Sequence, residues 1–181
     1  MPNTIVCIGD SLTLGLQVEI TMTVRMAMKY PGINVVNLGV GSNTTTQMLA
    51  RISTVDAYNP FRVIIWGGVN DVGAGTSSAT IQANLQAMYD YCKVTKGYEV
   101  FAVTITPADT NTAPNNVVRT TVNDWIKAVP SGVDRVIDAW TAVRDPADST
   151  IRLAEYAVPL PDIVHLNDVG QAVVMSLFPS L

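Results

Sequence analysis

Five short apolar runs, Ile5–Ile8, Ile33–Leu38, Val63–Trp66, Val100–Ile105 and Val136–Ile137, alternate along this chain with segments of helical spacing. The runs are rich in β-branched residues and almost unbroken by polar positions, as strands covered on both faces must be. Between them, Leu16, Ile20, Val24 and Met28 recur in steps of four, and Ile81, Leu85, Met88 and Cys92 in steps of three or four. Each set predicts a helix with one buried face. Pro114-Asn115-Asn116 opens a further helix through Val118 to Ile126, and Asn167 or Asp168 is placed to cap a last one over Val169–Leu177. Five such repeats predict a three-layer α/β/α sandwich around a five-stranded parallel sheet. Right-handed crossovers favour the doubly wound, flavodoxin-like order, in which ligands bind at the carboxyl ends of the strands.

No linker, repeat or low-complexity stretch interrupts this pattern, so residues 1–181 read as a single domain, long enough to bury a substantial core. The one long irregular stretch, Arg144–Val164 with Pro146, Pro159 and Pro161, either has a job of its own or hides a short helix around Ile151–Ala157. Charged residues are only 14% of the chain and the net charge is −4, with no run of lysines or arginines. That balance argues for a compact globule and against a nucleic-acid partner. No apolar stretch approaches the length of a membrane span. The N-terminal Met1-Pro2-Asn3-Thr4 lacks the basic region of a signal peptide, and the chain reads as cytoplasmic. Cys7 lies in the first strand and Cys92 in a helix, which favours two buried thiols over a disulfide. One histidine and two distant cysteines are too few for a zinc site, and neither a metal nor a cofactor is expected.

The chemistry sits at the strand ends. Ile5–Ile8 empties into Gly9-Asp10-Ser11-Leu12, and the sole histidine, His165, closes the segment Asp162-Ile163-Val164-His165 before the last helix. A serine hydroxyl becomes a nucleophile when a base removes its proton, and a neutral imidazole is the usual base. A carboxylate then holds the imidazole's tautomer. A lone histidine is more often a surface or satisfied core residue, and each short motif could be an ordinary turn; their joint placement is what points to acyl transfer. After the second strand, Asn37-Leu38-Gly39-Val40-Gly41-Ser42-Asn43-Thr44-Thr45 lets backbone approach a ligand, with a helix starting near Thr44. After the third, Gly67-Gly68-Val69-Asn70-Asp71 offers an amide able to donate to an oxyanion. Asp10 and Asp71 read as acceptors that brace their loops. Trp66, Trp125 and Trp140 read as core or rim residues. Asp138, at the end of the fifth strand, competes with Asp162 as the orienting acid, and spacing favours Asp162.

Taken in order, these segments resemble the four sequence blocks of the GDSL, or SGNH, hydrolases. Gly9-Asp10-Ser11-Leu12 is similar to the nucleophile block and Asn37–Thr45 to the glycine block. Gly68-Val69-Asn70-Asp71 is similar to the asparagine block, and Asp162-Ile163-Val164-His165 to the acid–base block. The resemblance spans residue 5 to about residue 170. It implies an α/β/α fold and metal-independent hydrolysis of esters or thioesters. It also implies Ser11 as nucleophile, His165 as base and Asp162 as orienting acid. The implied oxyanion donors are the Ser11 amide, an amide of the glycine block and the Asn70 side chain. One departure stands out. The family pattern Asn-x-Gly-x-x-Gly-x-Thr puts Ser42 where the second glycine belongs, and Gly41 takes that place only if the loop is one residue shorter. Either residue 41 or residue 42 is therefore the backbone donor.

The sparse charge and the lack of an apolar lid helix favour a small-molecule substrate, either a short acyl or acetyl ester or an acylated sugar. Two other readings use the same fold. A flavin- or phosphate-binding module would use Ser11, Thr13 and the Ser42–Thr46 loop without His165, and an inactive scaffold would only bind glycans.

Overall fold

The computed structural model describes residues 3–109 and 112–181. Its sheet has five parallel strands: β1 (Thr4–Gly9), β2 (Asn34–Gly39), β3 (Arg62–Trp66), β4 (Glu99–Val103) and β5 (Arg135–Ile137). Their order is β2-β1-β3-β4-β5, the flavodoxin-like order expected from the alternation. Every residue of β1 and β3 is buried, which explains why neither run shows a polar alternation. β4 stops at Val103, two residues short of the apolar run: the Thr104 amide still donates to the Ile137 carbonyl, but Ile105 turns to Asn123. The Ile105 amide donates to Asn123 Oδ1 and its carbonyl accepts from Asn123 Nδ2.

The helices are α1 (Ser11–Leu14), α2 (Met22–Lys29), α3 (Thr45–Ala50), α4 (Val69–Gly73), α5 (Ser78–Asp90), α6 (Ala113–Lys127), α7 (Ala139–Val143) and α8 (Asp168–Ser176). In one flanking layer α8 packs against α2 and α7, and in the other α5 packs against α3 and α6. Local chemistry sets most helix starts. Thr44 caps α3 in a reciprocal capping box with Gln47, Thr112 caps α6 with Pro114 in its first turn, and Asn167 caps α8 through the Gly170 amide.

One expected helix is different. Leu16, Ile20, Val24 and Met28 do not share a buried face: all four are exposed, Met28 by 72%. Gly15 ends α1 in the left-handed conformation, and α2 begins only after Thr21, whose hydroxyl accepts from the Val24 amide. Leu16 and Ile20 fall in the connecting turn, and the face that α2 buries carries Met22, Thr23 and Met26. A glycine stop and a threonine start outrank the apolar spacing here. The second set behaves as read, with Ile81, Leu85, Met88 and Cys92 all buried. Cys7 and Cys92 are free thiols, each pushed up to about 12 by burial. The long irregular stretch contains a single 3-10 turn, Ala154–Tyr156, between isolated antiparallel bridges Arg144–Arg152 and Ala157–Leu166.

Chain winding reverses on either side of β1, since β2 lies on one flank and β3 on the other. Ser11 follows β1, and Asn70 follows its neighbour β3, so both leave the sheet at this reversal. Gly9 and Gly39 make the close approach there possible. A Cβ on Gly9 would overlap Thr13 Oγ1 and the Trp66 carbonyl, and one on Gly39 would overlap the Leu14 backbone. Hydrogen in place of Cβ lets α1 lie directly on the strand ends.

Candidate active site

Ser11 occupies the first position of α1, where its amide has no acceptor within the helix. Asp10 caps this turn, its Oδ1 accepting from the Leu12 amide at 2.9 Å. Asn37 closes the far side, donating from Nδ2 to the carbonyl of Thr13 at 3.0 Å and accepting from the Gly39 amide at 2.9 Å. From α8, Gln171 Nε2 donates to the Leu12 carbonyl at 3.0 Å. Ser11 is thus held by a turn tied to β2 and to α8, and is only 4% exposed.

His165 reaches this serine. Its Nε2 lies 2.8 Å from Ser11 Oγ, and its Nδ1 lies 2.6 Å from Asp162 Oδ2. With Nδ1 as donor to the carboxylate, Nε2 is left to accept the serine hydroxyl. Asp162 Oδ1 accepts from the amides of Val164 and His165 at 2.9 and 2.7 Å, and Oδ2 also accepts from Gln17 Nε2 at 2.9 Å. Burial works against a charged Asp162, but the imidazole and the two backbone amides outweigh it and hold the carboxyl down at about 2.

Asp138 is elsewhere. It caps α7 through the Thr141 amide and bonds the hydroxyls of Thr104 and Thr141, so its carboxylate is spent on structure. Asp71 accepts from the amide and hydroxyl of Thr45 at 2.8 and 2.7 Å and braces its loop as expected. Trp66 and Trp140 are buried, and Trp125 stacks on Tyr89 at a centroid distance of 5.9 Å. In the glycine block, Ser42 has φ of 61°, whereas Gly41 has no positive φ. Ser42 therefore occupies the left-handed position that a glycine would fill without strain. Among the described residues, the amides of both have no acceptor, while the Asn43 amide donates to the Val40 carbonyl. Asn70 Nδ2 donates one hydrogen to the Asn43 carbonyl at 2.9 Å and keeps a second.

Three partners of the acid–base segment carried no local signal. Arg152, whose side chain is fully buried, makes a forked pair with Asp109: Nη2 to Oδ2 at 2.7 Å and Nε to Oδ1 at 3.1 Å. The same guanidinium donates to the carbonyls of His165 and Asp162. It clamps the acid–base segment from behind, and Gln17 touches it from the other side. Arg152 lies 43 residues from Asp109, and Gln17 lies 145 from Asp162, so sequence proximity could not pair them.

Asp10 has a further property. Its Oδ2 is buried without a hydrogen-bond partner. Burial, with Asp71 nearby, pushes the carboxyl up to about 7 against the Leu12 amide and the Arg51 charge. An unfolded aspartate titrates near about 3.9, so ionising Asp10 in the fold is unfavourable. Its contribution to stability should fall as pH rises from about 4 to about 7 and stay low above that. Asp10→Asn mimics the protonated acid and keeps an acceptor for Leu12. Its melting temperature should therefore gain more over wild type at about pH 8 than at about pH 5. An equal gain at both would show that Asp10 does not ionise in that window.

Beside Asn70 opens a cleft of about 410 Å³, lined by Val69, Asn70, Ala108, Thr112, Asn115 and Ile163 among others, none of them charged. It runs between the asparagine block and the acid–base segment.

The sequence pattern of the GDSL-like lipase/acylhydrolase family matches residues 7–173. The chain belongs to that family. As a GDSL-family protein it is an ester hydrolase, and several solved structures are similar to it in fold. A G-D-S-L family protein from Desulfitobacterium hafniense, described as lipolytic, is 22% identical with a TM-score of 0.81, covering 97% of each chain. A lipase/acylhydrolase from Enterococcus faecalis is 24% identical at a TM-score of 0.73, covering 97% of this chain and 92% of its own. The psychrotrophic esterase EstA from Pseudoalteromonas sp., solved with monoethylphosphonate as inhibitor, is 17% identical at 0.73, covering 97% and 93%. No functionally curated protein matches this sequence. Among the described residues of this GDSL hydrolase no helix is long and apolar enough to cross a membrane.

Proposed function

We propose that this GDSL hydrolase cleaves short-chain acyl or acetyl esters, acetylated sugars among them, through a Ser11–His165–Asp162 triad and an acyl-enzyme. The observation that carries the reading is the unbroken chain from Ser11 Oγ through both ring nitrogens of His165 to Asp162. In the first half-reaction, Ser11 Oγ attacks the ester carbonyl carbon and its proton passes to His165 Nε2. The carbonyl π electrons move onto oxygen, and the oxyanion takes hydrogen bonds from the Ser11 amide, the Ser42 amide and Asn70 Nδ2. Ser42 is preferred to Gly41 as donor because it holds the left-handed turn of the family's second glycine. Collapse of the intermediate breaks the bond to the alcohol oxygen, which leaves with the proton from Nε2. Water then repeats the sequence on the acyl-serine, with His165 as base, and frees the acid. Asp162, ionised at any working pH, keeps Nδ1 protonated and stabilises the imidazolium.

The uncharged lining of the cleft beside Asn70 supports a neutral substrate, and its partly polar character, with Asn70, Thr112 and Asn115 on its wall, suits a small or hydroxylated group better than a long alkyl chain. A flavin or phosphate module would leave the serine–imidazole contact without a purpose. The test is active-site labelling with a monoethyl phosphonate, read by mass spectrometry, beside turnover of p-nitrophenyl esters from acetate to laurate and of an acetylated glycan panel. One phosphonyl group on Ser11 and fastest turnover at the short end are expected. Labelling elsewhere sinks the triad, and a preference for laurate sinks the short-chain reading.

A further inference from the structure

Arg51 contacts two of the three segments that carry the proposed oxyanion donors, and reaches the third through Asn43. It follows α3 and is half-buried beneath the loops. Its Nη2 donates to the carbonyl of Gly9, two residues before Ser11, at 2.8 Å. Its Nη1 donates to the carbonyl of Leu38, at the end of β2, at 2.8 Å. Its Nε donates to Asn43 Oδ1 at 2.8 Å, beside Ser42. Asn43 is in turn the residue whose carbonyl holds Asn70 Nδ2. The Gly9 carbonyl also accepts from Val40, so the same oxygen ties β1 to the glycine block. Three short bonds from one planar group fix relative positions better than three separate side chains would, because a guanidinium cannot flex within its fork.

We infer that Arg51 is the positioning residue of the oxyanion hole, setting the Ser11 turn, the Ser42 turn and the Asn70 amide in register through Gly9, Leu38 and Asn43. The inference rests on the serine-hydrolase reading above. Arg51 itself touches no reacting atom. Its loss displaces donors rather than deleting them. Donor geometry matters at the level of about an ångström, and misplacement on that scale can cost roughly a hundredfold in rate. The strained left-handed backbone at Ser42 adds to the need for such a brace, since a serine there has less reason than glycine to hold the turn unaided.

The experiment compares wild type with Arg51→Ala, Arg51→Met, Asn43→Ala, Asn70→Ala and the Arg51→Met/Asn70→Ala double variant. Each is assayed for kcat and KM on p-nitrophenyl acetate, for the rate of Ser11 phosphonylation and for melting temperature. Arg51→Met is expected to lower kcat by about ten- to a hundredfold with KM little changed, because the donors matter most to the transition state. Asn70→Ala should cost about 10²–10³. The double variant should lose less than the product of the two, since part of what Arg51 does is to place Asn70. Millimolar guanidinium should restore part of the activity of Arg51→Ala, which a merely weakened fold would not allow. Should the Arg51 variants not fold, Asn43→Ala decides: it removes one acceptor of Arg51 while keeping the carbonyl that holds Asn70, and is expected to lose several-fold in kcat. Wild-type kcat in any folded Arg51 variant, full additivity with Asn70→Ala, or wild-type kcat in Asn43→Ala when the Arg51 variants do not fold, would overturn the inference. Absence of phosphonyl on Ser11 in the wild-type protein would instead overturn the triad.

Discussion

Ser11→Ala should remove ester turnover almost entirely while leaving the fold intact. Among the described residues the hydroxyl is the side-chain nucleophile hydrogen-bonded to the His165 imidazole, and its oxygen is the only proposed point of acyl attachment. Loss of the nucleophile in a triad of this kind costs about 10⁶ in kcat, leaving what binding and the oxyanion donors provide. Little stability should go with it. Alanine is the better helix former at the first position of α1. The Ser11 amide, the Asp10 cap and the Gln171 brace are all independent of the hydroxyl. The freed Nε2 belongs to a side chain 18% exposed, so water can replace the lost partner. Paired measurements of kcat and melting temperature check both halves. More than a few per cent of wild-type activity in a folded, homogeneous variant would remove Ser11 from the mechanism.

Asp162→Asn is expected to lower kcat by up to about 10⁴, with Asp138→Asn far milder. The asparagine would keep the amides of Val164 and His165 satisfied through Oδ1. What changes is the face toward Nδ1. An amide NH₂ there donates where the carboxylate accepted, so the imidazole must present Nδ1 as acceptor and carry its proton on Nε2. Nε2 then cannot take the proton of Ser11. Among the described residues the Asp138 carboxylate bonds the Thr104 hydroxyl and the amide and hydroxyl of Thr141, so its replacement touches the α7 cap and its tie to Thr104. Kinetics of the two variants side by side decide the assignment, and a costlier loss at Asp138 would reverse it.

The pH behaviour follows from the same pair. With its folded value held at about 2, below the unfolded aspartate, Asp162 contributes stability above about pH 4 that is lost as pH falls through about 2. It does not titrate in the working range. In an Asp10→Asn background, which removes the buried carboxyl pushed up to about 7 beside Ser11, the acid limb of kcat/KM should be a single ionisation. Its midpoint should match that of the imidazole followed by NMR, and separate midpoints would show that another group is the base.

Much of this arrangement is local and so is readable residue by residue. β-branched runs covered on both faces declare a parallel sheet whether or not their neighbours are known, and Thr44, Thr112 and Asn167 cap helices by reaching three residues along. Asp162 and His165 are three residues apart, so the segment carries its own hydrogen bonds. The stripe from Leu16 to Met28 shows where local reading fails even at short range. Its spacing suits a helix, but Gly15 and Thr21 divide it, and which face α2 buries depends on the sheet and α8 behind it.

From the sequence alone came the fold class and the proposed serine, histidine, acid and asparagine, because each of these four lies in a short motif, after a strand or in the final loop before α8. Tertiary structure alone decided that Asp138 is a helix cap, that Ser42 rather than Gly41 takes the left-handed turn, and that Arg152, Asp109, Gln17 and Arg51 brace the site. Those braces join residues 8 to 145 positions apart. Such pairs exist only once strand order and register have brought separate loops to one edge, and no spacing within the chain encodes which arginine will meet which carbonyl there.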